Sequence, residues 1–241
     1  MNEEMNAPVS PEPDGVAGWL AVWMQVVTKP NEQTFVEIAS SPNAKTSTAF
    51  LWVFIGSLVN SFILYLAQGA LISSMLSDFN NGNALGGGMG ISFISAICGA
   101  PVAAVVSMLF FAIFTGVIQW VAKMFGGTGT FEQLAYTFAA ITVPFNLISG
   151  ILGLLAAIPY IGFCFGILAF GLVIYVIVLE VMAVKGVNQF GYGAAAGSVF
   201  IPGLVVGVIC VCVFGVGSVA LMRLLGPKIG NTFSSINSSL P

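Results

Sequence analysis

The sequence predicts an all-α polytopic membrane protein, in which an N-terminal interfacial amphipathic helix precedes a five-helix transmembrane bundle. Three observations predict it. Of 241 residues, 58% are hydrophobic and 6% charged, against roughly 45–50% apolar and about 25% charged in soluble domains. Too few charges remain to clothe a water-facing surface. Five apolar stretches each reach the roughly 20 helical residues that a hydrocarbon core of about 30 Å requires. The Lys and Arg residues then fall at alternate joints between those stretches, as the retention of cations on the cytoplasmic side dictates.

Residues 1–15 (MNEEMNAPVSPEPDG) are acidic and Pro-bearing and lack the basic n-region of a secretory signal, so they read as a disordered cytosolic tail. From 16 to 45 runs a preamble. Val16, Trp19, Leu20, Trp23, Val26 and Val27 recur at helical spacing over a length too short to span, which suits a helix lying in the membrane interface. Lys29-Pro30 stops it. Asn31 to Ser40 reads as a second short helix with Phe35 and Ile38 on its buried side.

The transmembrane domain occupies 46–228, with spans expected near 49–72, 91–122, 134–158, 162–184 and 198–222, and a polar tail at 229–241. Pro101, Pro144 and Pro202 lie in or at helices, where neighbouring helices can satisfy the freed carbonyls. The Gly- and Asn-rich segment 77–90 reads as an exterior loop. Lys29, Lys45, Lys123 and Lys185 share one side, whereas the joints 73–90 and 159–161 contain no Lys or Arg. That asymmetry predicts a cytoplasmic N-terminus and an exterior C-terminus, with Arg223 and Lys228 dissenting. Trp19 and Trp23 precede the first span, Trp52 begins it and Trp120 ends the second, where indoles anchor to the interface.

Several function classes lose their chemistry. The chain has no histidine, and Cys98, Cys164, Cys210 and Cys212 sit inside apolar runs as small packing residues, so no metal or other cofactor is expected. Six dispersed cations make no basic patch, so nucleic acid is not an expected partner. Gly86-Gly87-Gly88 lacks the Lys-Ser/Thr of a phosphate loop. No Ser/His set or paired intramembrane aspartate is present, so an enzyme is not expected.

What remains are polar residues in apolar helices. Glu180 is the only acidic residue within an expected span, about one turn from its cytoplasmic end. It is either an interfacial group that snorkels or pairs with Lys185 or Lys123, or a ligand- or partner-binding group; with Lys185 and Tyr136 it would form an inner-face docking cluster. Ser57, Ser61, Tyr65 and Gln68 make one polar stripe on the first span. Asn60, Ser107 and Asn146 fall at comparable depth in the first three spans. They act either as interhelical hydrogen-bond glue or as the lining of a midplane cavity, the basis of an alternative reading as a small-solute or ion permeation protein. Gly162/Gly166, Gly193/Gly197 and Gly203/Gly207 fit GxxxG, the pattern of close helix packing within one chain or across a homo-oligomer. Gln133-Leu134-Ala135-Tyr136 and Gln189-Phe190-Gly191-Tyr192 repeat a phrase, each with a proline downstream, which is either a pair of matched sites or coincidence in a biased composition.

Thr28-Lys29-Pro30 with Phe35, the five-span layout, Gly126 to Phe131 leading into Leu134, Tyr136 and Pro144, and the joint from Lys185 to Ala196 together resemble the YIP domain family of Ypt/Rab-interacting membrane proteins. The resemblance covers most of the chain. It implies a cytosolic N-terminus, an exterior C-terminus and, for eukaryotic members, binding of prenylated small GTPases. The short tail and the lack of an Asp-Leu-x-Gly-Pro-like motif make the chain more similar to the short prokaryotic branch, which implies a prokaryotic plasma membrane. On that resemblance the expected function is a non-catalytic membrane adaptor or organiser. Tyr136, Glu180, Lys185 and Tyr192 at its cytoplasmic face would meet a membrane or cytosolic protein, or serve the chain as an accessory subunit of a larger complex.

Overall fold

A computed structural model of the chain describes residues 15–79, 84–156, 158 and 161–239. Its elements are all helices: α1 (Val16–Thr28), α2 (Glu32–Ser40), α3 (Thr46–Phe79), α4 (Ala84–Met124), α5 (Phe131–Ala156), α6 (Gly162–Asn188) and α7 (Tyr192–Ser239). Five contain segments long and apolar enough to cross a membrane, namely Thr46–Gly69, Phe93–Met124, Phe131–Ala156, Gly162–Asn188 and Tyr192–Val219. The chain is a multi-pass membrane protein.

The joints differ from expectation. α3 runs to Phe79 and helix resumes at Ala84, so much of the expected loop 77–90 is helical, and 80–83 lie outside the described residues. Each further residue of an established helix adds one backbone bond, and that gain carries α4 through Gly86 to Gly88. α7 continues to Ser239 and takes in most of the expected polar tail. The tail 1–15, except Gly15, and the turn at 159–160 lie outside the described residues. Compact packing divides the chain into Met1–Val199 and Phe200–Pro241, the latter being the remainder of α7.

Within the first unit α5 is the hub, touching α1, α2, α3, α4 and α6. Leu134 through Ile141 are buried without interruption. A helix covered all round has no lipid face, and for these two turns the cover is supplied in part by the preamble. Val22 and Val26 of α1 and Phe35, Ile38 and Ala39 of α2 are buried in the same core as Leu134 and Tyr136. α1 therefore docks one face on protein, while Val16, Leu20 and Met24, spaced i, i+4, i+8, stay uncovered.

Aromatic rings fill this core. Trp52 stacks at a tilt on Tyr136, with centroids 4.8 Å apart, and receives the edges of Trp19 and Trp23 at 6.0 and 5.6 Å. Two expected roles are thereby corrected. Trp52 is 1% exposed and Tyr136 2%, so Trp52 is a core residue rather than an interfacial anchor, and Tyr136 presents no surface to a partner. Both lie at the end of a span, but α1 folds over that end. Trp19 and Trp23 are half-buried, and Trp120, 65% exposed, keeps an anchor's position.

Close helix contact comes from glycines outside the GxxxG pairs. On α3 and α5, a Cβ at Gly56 would meet Val143 at 3.0 Å, and one at Gly150 would meet Asn60 Oδ1 at 2.5 Å. Gly166, Gly193, Gly203 and Gly207 face open space, whereas a Cβ at Gly162 would run into the Ala156 carbonyl. The four cysteines are exposed rather than packed. Along the expected polar stripe of α3, Ser57 is buried, Ser61 and Tyr65 are half-buried, and Gln68 is exposed between buried Ala67 and Gly69.

The turn from α4 to α5 is held by a buried amide pair. Gln119 Nε2 donates to Asn188 Oδ1 (3.0 Å) and to the Gly129 carbonyl (2.7 Å), and Asn188 Nδ2 returns a bond to Gln119 Oε1 (3.3 Å). The Thr128 N–H and hydroxyl both donate to the Asn188 carbonyl, at 3.2 and 3.3 Å. Gly126 turns the chain at φ +85°, and a Cβ at Gly129 would fall 2.6 Å from Val187 Cγ1. Thr130 and Gln133 then form a reciprocal capping box, which starts α5 three residues before the expected bound. Gln189 instead ends α6 in the left-handed conformation, at φ 53°. The two Gln-x-x-Tyr phrases thus do different work, and their recurrence is coincidental.

Asn188→Ala leaves the Gln119 amide short of partners and is expected to destabilise the purified protein by about 1–3 kcal/mol, read as a fall in detergent-micelle melting temperature; an unchanged value removes the amide pair as a fastener. Gly150→Ala is expected to cost about 1–3 kcal/mol through overpacking. Because Asn60 Oδ1 is buried without a hydrogen-bond partner, Asn60→Ala alone is expected to be nearly neutral and to rescue Gly150→Ala. A double-mutant cycle with no coupling contradicts that contact.

Candidate functional site

Two arrangements of polar side chains stand out, one at the preamble end of the bundle and one between α5 and α6. At the preamble end, Asn31 caps α2 by accepting the Thr34 N–H at 2.8 Å, and the Thr34 hydroxyl donates to the Lys29 carbonyl at 2.8 Å. The cap sets α2 across the end of α6, where Gly186 permits contact: a Cβ there would lie 3.2 Å from the Glu32 carbonyl and 3.4 Å from Phe35 Cβ. Lys185 then ion-pairs with Glu32 and lays its Nζ 4.0 Å from the centroid of the Tyr192 ring. One lysine so joins α2, α6 and the first turn of α7. Across the same end, Glu132 accepts from the Thr46 N–H at 3.0 Å and the Thr46 hydroxyl at 3.4 Å, which puts a carboxylate at the N-terminal poles of both α3 and α5.

The outer side of α2 is polar, beside the uncovered apolar row of α1. Gln25 of α1 and Gln33 of α2 both donate to Glu37, at 3.3 and 3.5 Å, and Gln33 and Glu37 are exposed.

Of the four residues expected to form one docking cluster, Lys185 and Tyr192 meet. Tyr136 lies in the core, and Glu180 faces elsewhere. Residues five apart on a helix are rotated by about 140°, so Glu180 and Lys185 cannot share a face. Glu32 takes the acidic role instead. Its signal in the sequence was its place one residue after an N-cap Asn on a helix with an apolar side.

Glu180 lines a cleft of about 380 Å³ between α5 and α6, whose α5 wall includes Thr142, Asn146 and Ser149 and whose α6 wall includes Leu172 and Val176. The three polar α5 residues stand at i, i+4 and i+7, on one face. The expected midplane trio does not assemble around it: Asn146 lines the cleft, Asn60 points at Gly150 in the α3–α5 contact, and neither Asn60 nor Ser107 borders the cleft. A second cleft of about 390 Å³, between α3 and α4 at Pro101, is lined entirely by apolar residues. Among the described residues no three His, Cys, Asp or Glu side chains converge as a metal would need. The Gln119–Asn188 pair was missed in the sequence because each amide stands alone near the end of a different span, and only folding makes them partners.

No curated protein and no solved structure matches the chain. The model of the Yip1 domain matches residues 24–215, from the middle of α1 through the preamble, the Glu32–Lys185–Tyr192 junction, four apolar spans and most of the fifth. With most of its length so matched, the chain belongs to the Yip1 domain family.

Proposed function

We propose that this protein is a non-catalytic membrane adaptor that meets a protein partner through the outer face of its α1–α2 cap, on the cytoplasmic side of a prokaryotic plasma membrane. The observation that carries the proposal is the docked cap itself. Val22, Val26, Phe35 and Ile38 are buried against the bundle while Gln33 and Glu37 stay exposed, so a polar, weakly acidic α2 surface, flanked by the uncovered Val16, Leu20 and Met24 of α1, is held in one shape outside the apolar spans. Binding groups on rigid elements lose less conformational freedom when a partner arrives. Lys29, Lys45, Lys123 and Lys185 all belong to this end of the bundle, which supports its cytoplasmic orientation and an exterior C-terminus.

Energies indicate what keeps the cap in place. A partly exposed ion pair such as Glu32–Lys185 contributes about 0–1 kcal/mol, whereas each fully buried large apolar side chain contributes about 1.5–3 kcal/mol. The cap is held by its apolar underside and oriented by its lysine.

Affinity purification in mild detergent is expected to retain a stoichiometric companion protein. The double variant Gln33→Lys/Glu37→Lys is expected to lose it by about tenfold or more while changing stability by no more than about 0.5 kcal/mol. A lone homo-oligomer, or a companion indifferent to the charge reversal, refutes the cap as the docking face. Phe35→Ala is expected to weaken cap docking by about 3–5 kcal/mol and, by loosening the backbone around it, to speed trypsin cleavage after Lys45 in proteoliposomes. Lys185→Gln is expected to shift the same digestion by no more than about 1 kcal/mol; equal effects of the two substitutions contradict the ranking.

A further inference from the structure

We propose that the cleft between α5 and α6 binds an organic ammonium group carrying an alkyl body, with the cation on Glu180 and the body directed along the α6 wall. This site is separate from the cap and does not rest on the adaptor reading. Glu180 sits eight residues before the end of α6, about 12 Å of helix rise, inside a segment apolar enough to span the membrane. An unpaired carboxylate at such depth is costly and marks a ligand or ion site by default. Lys185 is engaged by Glu32, and among the described residues Glu180 has no ion pair. Lying near the negative pole of α6, the carboxylate draws no help from the helix dipole either.

The rest of the cleft selects the ligand class. From Glu180 to Ala169 the α6 wall is built of alkyl side chains over about 16 Å, and it faces the Thr142, Asn146 and Ser149 row on α5. A hard metal ion wants about six or more oxygens around one point, whereas these oxygens are strung along about 10 Å of helix. An anion is repelled by Glu180. An ammonium with an apolar tail satisfies both walls: charge and N–H donors at Glu180 and the nearest hydroxyl and amide, and methylene groups against Leu172 and Val176. The volume of about 380 Å³ holds a ligand of that size. The apolar α3–α4 cleft of nearly equal volume lacks any such carboxylate.

The ammonium has two possible sources, a free alkylamine or the headgroup of an aminophospholipid. Equilibrium binding of radiolabelled decylammonium to the full chain in non-ionic detergent is the direct test. The expected result is saturable binding that Glu180→Gln weakens roughly tenfold, about 1.4 kcal/mol, that Glu37→Gln leaves unchanged, and that decanol does not displace. Equal binding by Glu180→Gln, displacement by decanol, or displacement by sodium at the same concentration overturns the proposal. Should Glu180→Gln fail to fold, dicyclohexylcarbodiimide on the wild-type protein decides. This reagent adds an apolar-site carboxyl across its C=N bond, and the adduct rearranges to a stable acylurea that mass spectrometry locates. Acylurea on Glu180 that decylammonium suppresses supports the site; no labelling there, or labelling that the amine leaves unchanged, overturns it. In proteoliposomes of phosphatidylglycerol with and without phosphatidylethanolamine, protection by the aminophospholipid assigns the lipid headgroup as the source, and protection by decylammonium alone assigns a free amine.

Discussion

The burial of the two turns of α5 from Leu134 to Ile141 is the constraint on which the rest of the structure depends. A transmembrane helix ordinarily turns at least one face to lipid, and Leu134 to Ile141 turn none. Protein must therefore reach every side of α5 at the end where the membrane stops. α3, α4 and α6 supply part of that cover, and α1 and α2 supply what those spans do not. The tilted stack of Trp52 on Tyr136, with the indoles of Trp19 and Trp23 edge-on to it, is the contact through which the preamble completes the enclosure. Without a docked preamble those rings would face the interface, and the hub would lose its shape.

Polar fasteners then act where burial has already brought the helices together. The Gln119–Asn188 pair is buried on both sides, so each amide must find its partners or suffer desolvation unrelieved, and the reciprocal bonds with the Gly129 and Val184 carbonyls satisfy most of that demand. Glu32–Lys185 is the opposite case. Its exposure keeps its strength low, and its importance is directional: it joins α2 to α6 and, through the Tyr192 ring, to α7. Small residues make both possible, because Gly127 and Gly129 give Asn188 its space and Gly186 gives α2 its seat.

The spans were legible because crossing hydrocarbon imposes a length and an apolar composition that any single stretch displays by itself. Element ends were less so. The capping box at Thr130 and Gln133 begins α5 before its apolar run does, and α3 and α7 continue beyond theirs. Trp52 and Tyr136 were misplaced because an aromatic residue at the end of a span is normally interfacial, and only the return of α1, some 30 residues earlier in the chain, makes this end an interior. Gly166, Gly193, Gly203 and Gly207 of the GxxxG matches face open space for a related reason: a small residue permits close approach but does not supply the neighbour. Gly150 meets Asn60 without any such motif, because the two helices happen to cross there.

The candidate sites show the same limit in sharper form. Charge and depth singled out Glu180, Lys185 and Tyr192, yet proximity in sequence suggested a pairing that helical rotation forbids. Five residues turn α6 by about 140°, which sends Lys185 toward α2 and α7 and Glu180 toward the polar row of α5. One unbroken, proline-free helix thus carries a lysine satisfied by protein at the cap and a carboxylate left facing a cleft. The protein could have neutralised that carboxylate with a residue one turn closer to it. Keeping the two charges on different faces leaves the cap complete in itself and the cleft in need of a cation from outside the chain.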